Sequence, residues 1–298
     1  MSARKSVPAS VPEGVRRIWS IGLYAGSSPL RLSPAPGVRN PILTRDDITD
    51  RRAGFVADPF LVRDAENWLL FFEVKNDECG KGEIGLAAGC GPDQWHYQGI
   101  VLSEPFQLSY PYVFEAGGAW YMIPETLDAG YVRIYRASQF PWRWVHVADA
   151  VEGRHADPSV LWWNERWWLF TCDAPDDHDS LRLFHSGALE GTWTEHVRSP
   201  LVTRDPRSAR PAGRFVTLGQ RAIRYAQDCF PDYGMAVRAF EIACLSPDGY
   251  SEQAWPHSPL DPAAGPGWNS HGMHHVSPVF CEPGRWIAAV DGAELKPA

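Results

Sequence analysis

The sequence predicts an all-β fold, a five-bladed β-propeller with four-stranded antiparallel blades. Three observations carry that prediction: a unit that recurs five times at blade-length intervals, a hairpin pattern inside each unit, and a composition suited to short strands. The chain of 298 residues has 14 Trp and 26 Pro, is 44% apolar, and contains only four lysines, Lys5, Lys75, Lys81 and Lys296. Aromatic-rich, proline-punctuated chains of this size favour sheet architectures and have ample apolar content for a full core, which excludes disorder.

The units align on X-Pro steps. They read ADPFLVRDAENWLLFFEV from Ala57, SYPYVFEAGGAWYMIPET from Ser109 and ADPSVLWWNERWWLFTCD from Ala156, with looser copies from Ala209 (ARPAGRFVTLGQRAIRYAQD) and Val276 (VSPVFCEPGRWIAAVDG). Their prolines, Pro59, Pro111, Pro158, Pro211 and Pro278, are spaced by 52, 47, 53 and 67 residues. In each copy an apolar strand passes through a turn with Asn or Gly (Asn67, Gly117, Asn164, Gly219, Gly284) into a second aromatic strand, the signature of a hairpin. A third alternating strand follows in four copies (EIGLAAG, YVRIYRAS, LRLFHSG, AVRAFEIA), and then an aromatic at a fixed place: Trp95, Trp144, Trp193 or Tyr250. Such a repeat at this length defines propeller blades.

The fifth copy has only two clear strands. The segment Arg17 to Leu32 carries strand pattern and belongs to no copy, so it is expected to supply the outer strands of the last blade and close the ring. Residues 1–16 are expected to form a flexible tail and residues 17–298 a single domain.

Composition narrows the function. Lys plus Arg number 28 against 36 Asp plus Glu, a formal charge of −8 with no basic run, so nucleic acid is not an expected partner. No apolar run is long enough for a membrane span, and MSARKSVPASVPEG lacks the apolar core of a secretory signal, so a cytoplasmic location is expected. The six cysteines (Cys79, Cys90, Cys172, Cys229, Cys244, Cys281) contain no CxxC pair and read as reduced thiols. GxGxxG and P-loop patterns are absent, so no cofactor is expected. Nothing in the sequence sets an oligomeric state.

The first strand of a propeller blade lies innermost, so the residues before the aligned prolines should ring one mouth of the central channel: Asp58, Tyr110, Asp157, Arg210 and Ser277. A second aligned set sits near the end of each second strand: Glu73, Glu125, Asp173, Asp228 (or Gln227) and Asp291, at offsets of 14, 14, 15, 17 and 13 from the proline. An Asp before Pro also serves as a turn residue, and repeats keep polar residues through duplication. Five acids converging on one rim repel each other unless paired or used, which favours a functional site. Carboxylates in a cleft rimmed by aromatics suit carbohydrate, because sugars offer hydroxyls to acids and apolar faces to rings. Tyr110, Tyr112, Trp162 and Trp163 are the stacking candidates, although any one of them taken singly fits blade packing better. Glycosidic chemistry needs one protonated and one ionised carboxyl, and Asp58 with Glu125 is the leading pair.

Just before the fifth inner strand, NSHGMHHVSPV holds His271, His274 and His275. This spacing lacks the helical geometry of HExxH. A histidine that hydrogen-bonds substrate or an acidic neighbour is favoured over a metal site here, and no metal is expected.

A five-bladed propeller whose first and third blades open with ADP resembles the glycoside hydrolase families of that fold, such as family 43 arabinanases and xylosidases. The resemblance implies that Asp58 is the general base or nucleophile and that Asp157 tunes pKa and orients. It puts Arg210 of ARPAGR where those families carry their acid, a departure from ordinary family 43 hydrolysis. A closer likeness is to the N-terminal propeller of plant glucosamine inositolphosphorylceramide transferases and of propellers beside bacterial formyltransferase-like domains. ADPFLV, FFEV, EIGLA, SYPYVFE, YMIPE, ADPSV, WWLFT, ARPAGR and AQDC carry that likeness, in order along most of the chain. The implied function is glycosyl hydrolysis or transfer on a carbohydrate or glycoconjugate, with Asp58 as base, Glu125 or Glu73 as acid and Asp157 as modulator. Arg210 and Arg214 would bind an anionic group, or Arg210 would neutralise Asp58 and Asp157. Asp173, Asp228, His274 and His275 are expected to contact substrate. The alternative is a non-catalytic module that binds a glycan or a partner protein.

Overall fold

The computed structural model describes residues 14–64, 67–91, 94–260 and 265–297. It contains five four-stranded antiparallel sheets, the five blades expected. Blade one pairs Ala53–Asp64, Asn67–Asn76, Lys81–Gly91 and Gln94–Leu102 in chain order. Blade two uses Ser109–Ala116, Ala119–Glu125, Tyr131–Gln139 and Arg143–Glu152, and blade three Ala156–Trp163, Arg166–Cys172, Leu181–Ser186 and Thr194–Glu195. Blade four uses Val216–Leu218, Arg221–Asp228, Ala236–Ser246 and Gly249–Ala254. Among the described residues the only helical turns are the short 3-10 segments Arg45–Asp47 and Leu127–Ala129, and no helix is long and apolar enough to cross a membrane.

Blade five closes the ring as expected. Val276–Glu282 and Arg285–Pro297 come from the C-terminal part of the chain, Val15–Ser28 and Arg31–Pro34 from the N-terminal part. The closing pair keeps an unbroken register from Val15↔Pro297 to Gly26↔Trp286. The strand therefore begins before Arg17, because Val15 and Arg16 already pair with Pro297 and Lys296. The rest of the expected tail, residues 1–13, lies outside the described residues.

Five apolar clusters hold the molecule together, one at each blade-to-blade interface. Ile21, Leu23, Leu70 and Phe72 join blades five and one; Phe71, Ile84, Val113 and Met122 join one and two. Tyr112, Ile123, Val160 and Leu169 join two and three; Phe170, Leu183, Ala222 and Ile242 join three and four; Ile223, Tyr225, Ala288 and Val290 join four and five. Each such side chain, fully buried, contributes roughly 1.5–3 kcal/mol relative to exposure. The alternation of each strand feeds one face into each neighbouring interface.

Blade four is the irregular one. Its inner strand is confined to Val216–Leu218, and the stretch before it makes single bridges instead, Pro211 to Ala226 and Gly213, in parallel, to Val276 of blade five. Gly213 sits at φ 119°, and a Cβ there would lie 1.9 Å from the Val276 carbonyl oxygen. Gly213→Ala is therefore expected to lower stability by about 1–3 kcal/mol, read as a lower urea midpoint with an unchanged slope.

Candidate functional site

The X-Pro steps place the inner residues by a backbone device. Strand pairing skips across Ala57/Phe60, Ser109/Tyr112 and Ala156/Ser159, so each step is a bulge in its inner strand. At these bulges Asp58, Tyr110 and Asp157 adopt positive φ of 53°, 47° and 51°. That conformation is costly for a side chain as bulky as Tyr, and such strain persists only where the surroundings enforce it. Here the freed amides point at acids. Asp58 N–H donates to Asp291 Oδ2 (3.2 Å), Tyr110 N–H to Asp58 Oδ2 (3.3 Å), and Asp157 N–H to Glu125 Oε2 (3.1 Å). Three blades are tied to one acidic ring.

A cavity of about 310 Å³ opens at this end of the channel, lined by Asp58, Glu73, Glu125, Arg210, His274 and Lys75, with Trp19 and Tyr233 among its walls. Asp157 lies beneath it and is reached through Arg210, whose Nε donates to Asp157 Oδ2 (2.5 Å) and Nη2 to Glu125 Oε2 (3.3 Å). Arg210 Nη1 contacts Pro175 O and His178 Nδ1, and the Tyr233 ring lies 5.2 Å from the guanidinium carbon. Gln227 Nε2 gives Asp157 Oδ2 a further bond of 2.7 Å. Arg210, expected either to bind an anionic group or to neutralise Asp58 and Asp157, pairs with Asp157 and Glu125, and it makes no ion pair with Asp58 among the described residues.

On the opposite wall, His274 links two acids: Nδ1 lies 2.8 Å from Asp291 Oδ2 and Nε2 lies 3.5 Å from Asp58 Oδ1. Its ring stacks on Trp19 at 4.0 Å. His275 is sealed below, with Nδ1 3.6 Å from Asp58 Oδ1 and its ring against Phe60 and Tyr110. Asp58, His274 and Asp291 offer ligand atoms within 4.8 Å of one another, a donor set that can hold a divalent cation as well as a proton-linked chain. His271 takes no part; it is exposed and bonded to Ser270 Oγ, so the three histidines do not form one cluster.

Burial separates the acids electrostatically. Glu73 is pushed up to about 8 by burial and by the charge of Asp58. Glu125 is pushed up to about 8 by burial and by Asp157, against the pull of Arg210. Burial would also raise Asp58, but the adjacent His275 imidazole and the charges of His274 and Arg210 outweigh it and leave Asp58 below the usual carboxylate range. His274, disfavoured as a cation by burial, is nevertheless raised by Asp291 and Asp58. His178 falls to about 4 through burial and the nearby Arg210 charge. At neutral pH the cavity therefore holds one ionised and two protonated carboxyls. Glu73 is bonded by Gln107 Nε2 (2.8 Å), whereas Glu125 accepts from Ser109 Oγ (3.1 Å), Asp157 N–H and Arg210.

Several expected residues lie elsewhere. Asp173 is bound by Ser180 Oγ and Arg182 Nε (2.5 Å each) and Asp228 by Arg238; neither lines the cavity. Blade register explains the first: Cys172 stands opposite Ala156, where Glu73 stands opposite Ala57 and Glu125 opposite Ser109, so Asp173 falls one residue past its strand. Arg214 faces the other mouth. Tyr110 is buried in the channel, its hydroxyl bonded to Ser159 Oγ (2.8 Å), and Tyr112 packs between blades. Trp162 and Trp163 also stand away from the cavity. The rings that do wall it, Trp19, Phe55 and Tyr233, escaped the sequence reading. Trp19 pairs with Ala293, two residues from Asp291, so aligning the closing strand against the last one would have found it.

Residues 13–293 match the family model described as glucosamine inositolphosphorylceramide transferase 1, N-terminal. The chain belongs to this family. Curated relatives include glucosamine inositolphosphorylceramide transferase 1 of Oryza sativa subsp. japonica, 32% identical over 295 residues, and that of Arabidopsis thaliana, 31% identical. Those alignments cover 92% of the chain but 40% and 39% of the relatives, so the chain spans about two fifths of their length. Among solved structures, the catalytic domain of a Coprinopsis cinerea family 62 α-L-arabinofuranosidase matches with TM-score 0.59 at 14% identity, covering 93% of this chain and 96% of that one. An exo-1,5-α-L-arabinanase from a bovine ruminal metagenomic library matches with TM-score 0.55 at 11% identity, covering 82% and 94%. At these identities the structural matches speak for the fold.

Proposed function

We propose that the cavity performs glycosyl hydrolysis or transfer, with Asp58 as general base and a protonated glutamic acid as general acid. The observation that carries the reading is the pairing, in one cavity, of an Asp held ionised with Glu73 and Glu125 both held protonated near neutral pH. Two carboxyls with separated pKa values are what glycosidic cleavage requires. The acid gives its proton to the departing glycosidic oxygen. Asp58 takes the proton of the attacking water or, in transfer, of an acceptor hydroxyl, while that oxygen bonds the anomeric carbon. Glu73 is the freer donor, because Glu125 is tied by three bonds and also fixes Arg210. Trp19 and Tyr233 supply ring faces for a sugar. The relatives' name, a transferase of glucosamine and inositolphosphorylceramide, brings a glycoconjugate acceptor into the reading.

The test is turnover of aryl glycosides and oligosaccharides across pH. Activity needs Asp58 ionised and the acid protonated, so it should hold through neutral pH and fall as pH rises through about 8. Glu73→Gln or Glu125→Gln should remove that alkaline limb and most of the rate, and whichever does so identifies the acid. A profile flat above pH 8 in the wild type, or equal background rates in all variants, would defeat the reading. A non-catalytic glycan-binding module is the second reading, favoured by Arg210, which stands at the blade-four position and engages both Asp157 and Glu125. It predicts glycan affinity without turnover, reduced by Trp19→Ala.

A further inference from the structure

The channel has a second mouth with different chemistry. A few residues along the inner strands from Asp58, a cavity of about 370 Å³ is bordered by Leu61, Val113, Glu115, Trp120 and Pro278, and Arg214 lines it. Arg214 is bound only by neutral groups: Nη2 donates to Val113 O (2.7 Å) and Leu61 O (3.4 Å), Nε to Ser277 Oγ (3.4 Å), and the rings of Phe60 and Tyr112 flank it. It forms no ion pair with any carboxylate among the described residues. The other deep arginines do: Arg210 holds Asp157, and Arg224 holds Glu252 through two bonds of 2.8 and 2.5 Å. Burial weakens the hold of Arg214 on its proton, as expected of a cation without a counter-charge.

An adjoining cavity of about 440 Å³ shares Glu115 and is walled by Tyr121, Trp162 and Trp167. Trp162 is 48% exposed, which leaves an indole face open beside the seam. Glu115, also exposed, would repel a second negative charge there while accepting bonds from hydroxyls. The combination is a guanidinium cation with its Nη1 donors at the channel end, a hydroxyl acceptor in the middle and an aromatic shelf outside.

We propose that this mouth binds an acidic saccharide, with its carboxylate or phosphate on Arg214 and a sugar ring against Trp162, separately from the Asp58 cavity. Nη1 of Arg214, the nitrogen not engaged by Val113, Leu61 or Ser277, offers two charged N–H donors to either anion, and the shelf matches the apolar face of a pyranose.

The experiment titrates the full chain with trigalacturonate, with glucose 1-phosphate and with neutral maltotriose, by calorimetry and tryptophan fluorescence. At least one charged probe should bind about tenfold or more tightly than maltotriose, and the better of the two identifies the anion. Arg214→Met and Trp162→Ala should each weaken that binding about tenfold, while Asp58→Asn leaves it unchanged. Arg214 braces two strands, so Trp162→Ala, at an exposed position, keeps the test valid should Arg214→Met fold poorly. Three results overturn the proposal: no binding of either charged probe, equal binding of maltotriose, or binding lost in Asp58→Asn and kept in Trp162→Ala. Loss of turnover in Asp58→Asn bears on the other mouth alone.

Discussion

Asp58→Asn is expected to reduce glycoside turnover by about 10²–10⁴-fold, the usual contribution of a positioned acid or base, with the fold intact. The substitution is nearly isosteric, and an amide oxygen can still accept the Tyr110 N–H at the bulge. What it removes is the negative charge facing His274 and His275. A second readout distinguishes loss of chemistry from loss of structure. The Asp58 charge helps hold Glu73 protonated, so in the Asn variant Glu73 should titrate lower and the alkaline limb of the residual activity should shift downward. A variant with unchanged turnover, or with the limb unmoved, would count against Asp58 as the base.

Arg210→Met should cost about 3–5 kcal/mol of stability, the penalty of stranding a buried charge, measured by urea unfolding near neutral pH. Arg210 is 8% exposed and is the cation joining Asp157 and Glu125. Without it both carboxyls should bind protons more tightly when folded than when unfolded. Stability from such groups is present at low pH and lost as pH rises through the folded pKa, so the deficit should be smaller at about pH 5 than at about pH 8. Arg210→Lys should recover only part, because a single ammonium cannot reproduce the fork that spans the two acids. A deficit that does not change with pH would mean that packing against Tyr233, not charge, is what Arg210 supplies.

The fold was legible because each blade announces itself twice, by an X-Pro step and by a hairpin turn, and both survive in all five copies. Less legible were the ends of blades: the fourth strand of blade three shrinks to Thr194–Glu195, and the inner strand of blade four gives way to bridges at Pro211 and Gly213. For the site, the aligned prolines pointed to Asp58, Glu73, Glu125 and Arg210, which line one cavity with Asp157 beneath, and the histidine-rich segment supplied His274. The alignment failed where one residue of register changes the face: Asp173 lies past its strand, and Gln227, not Asp228, turns toward Asp157. Trp19 and Tyr233 were hidden for another reason. They come from outside the repeated hairpins, from the closing strand and from the loop between the second and third strands of blade four, and a repeat search cannot weigh what does not repeat.

Trp19 precedes blade one in the chain, and the His274 ring that lies against it comes after blade four. On the ribosome, the indole emerges long before His274, so its wall of the cavity exists only after blades one to four have been made. A chain cut at the end of blade four lacks His274 and Asp291, and the cavity then has neither this wall nor the acid that holds it.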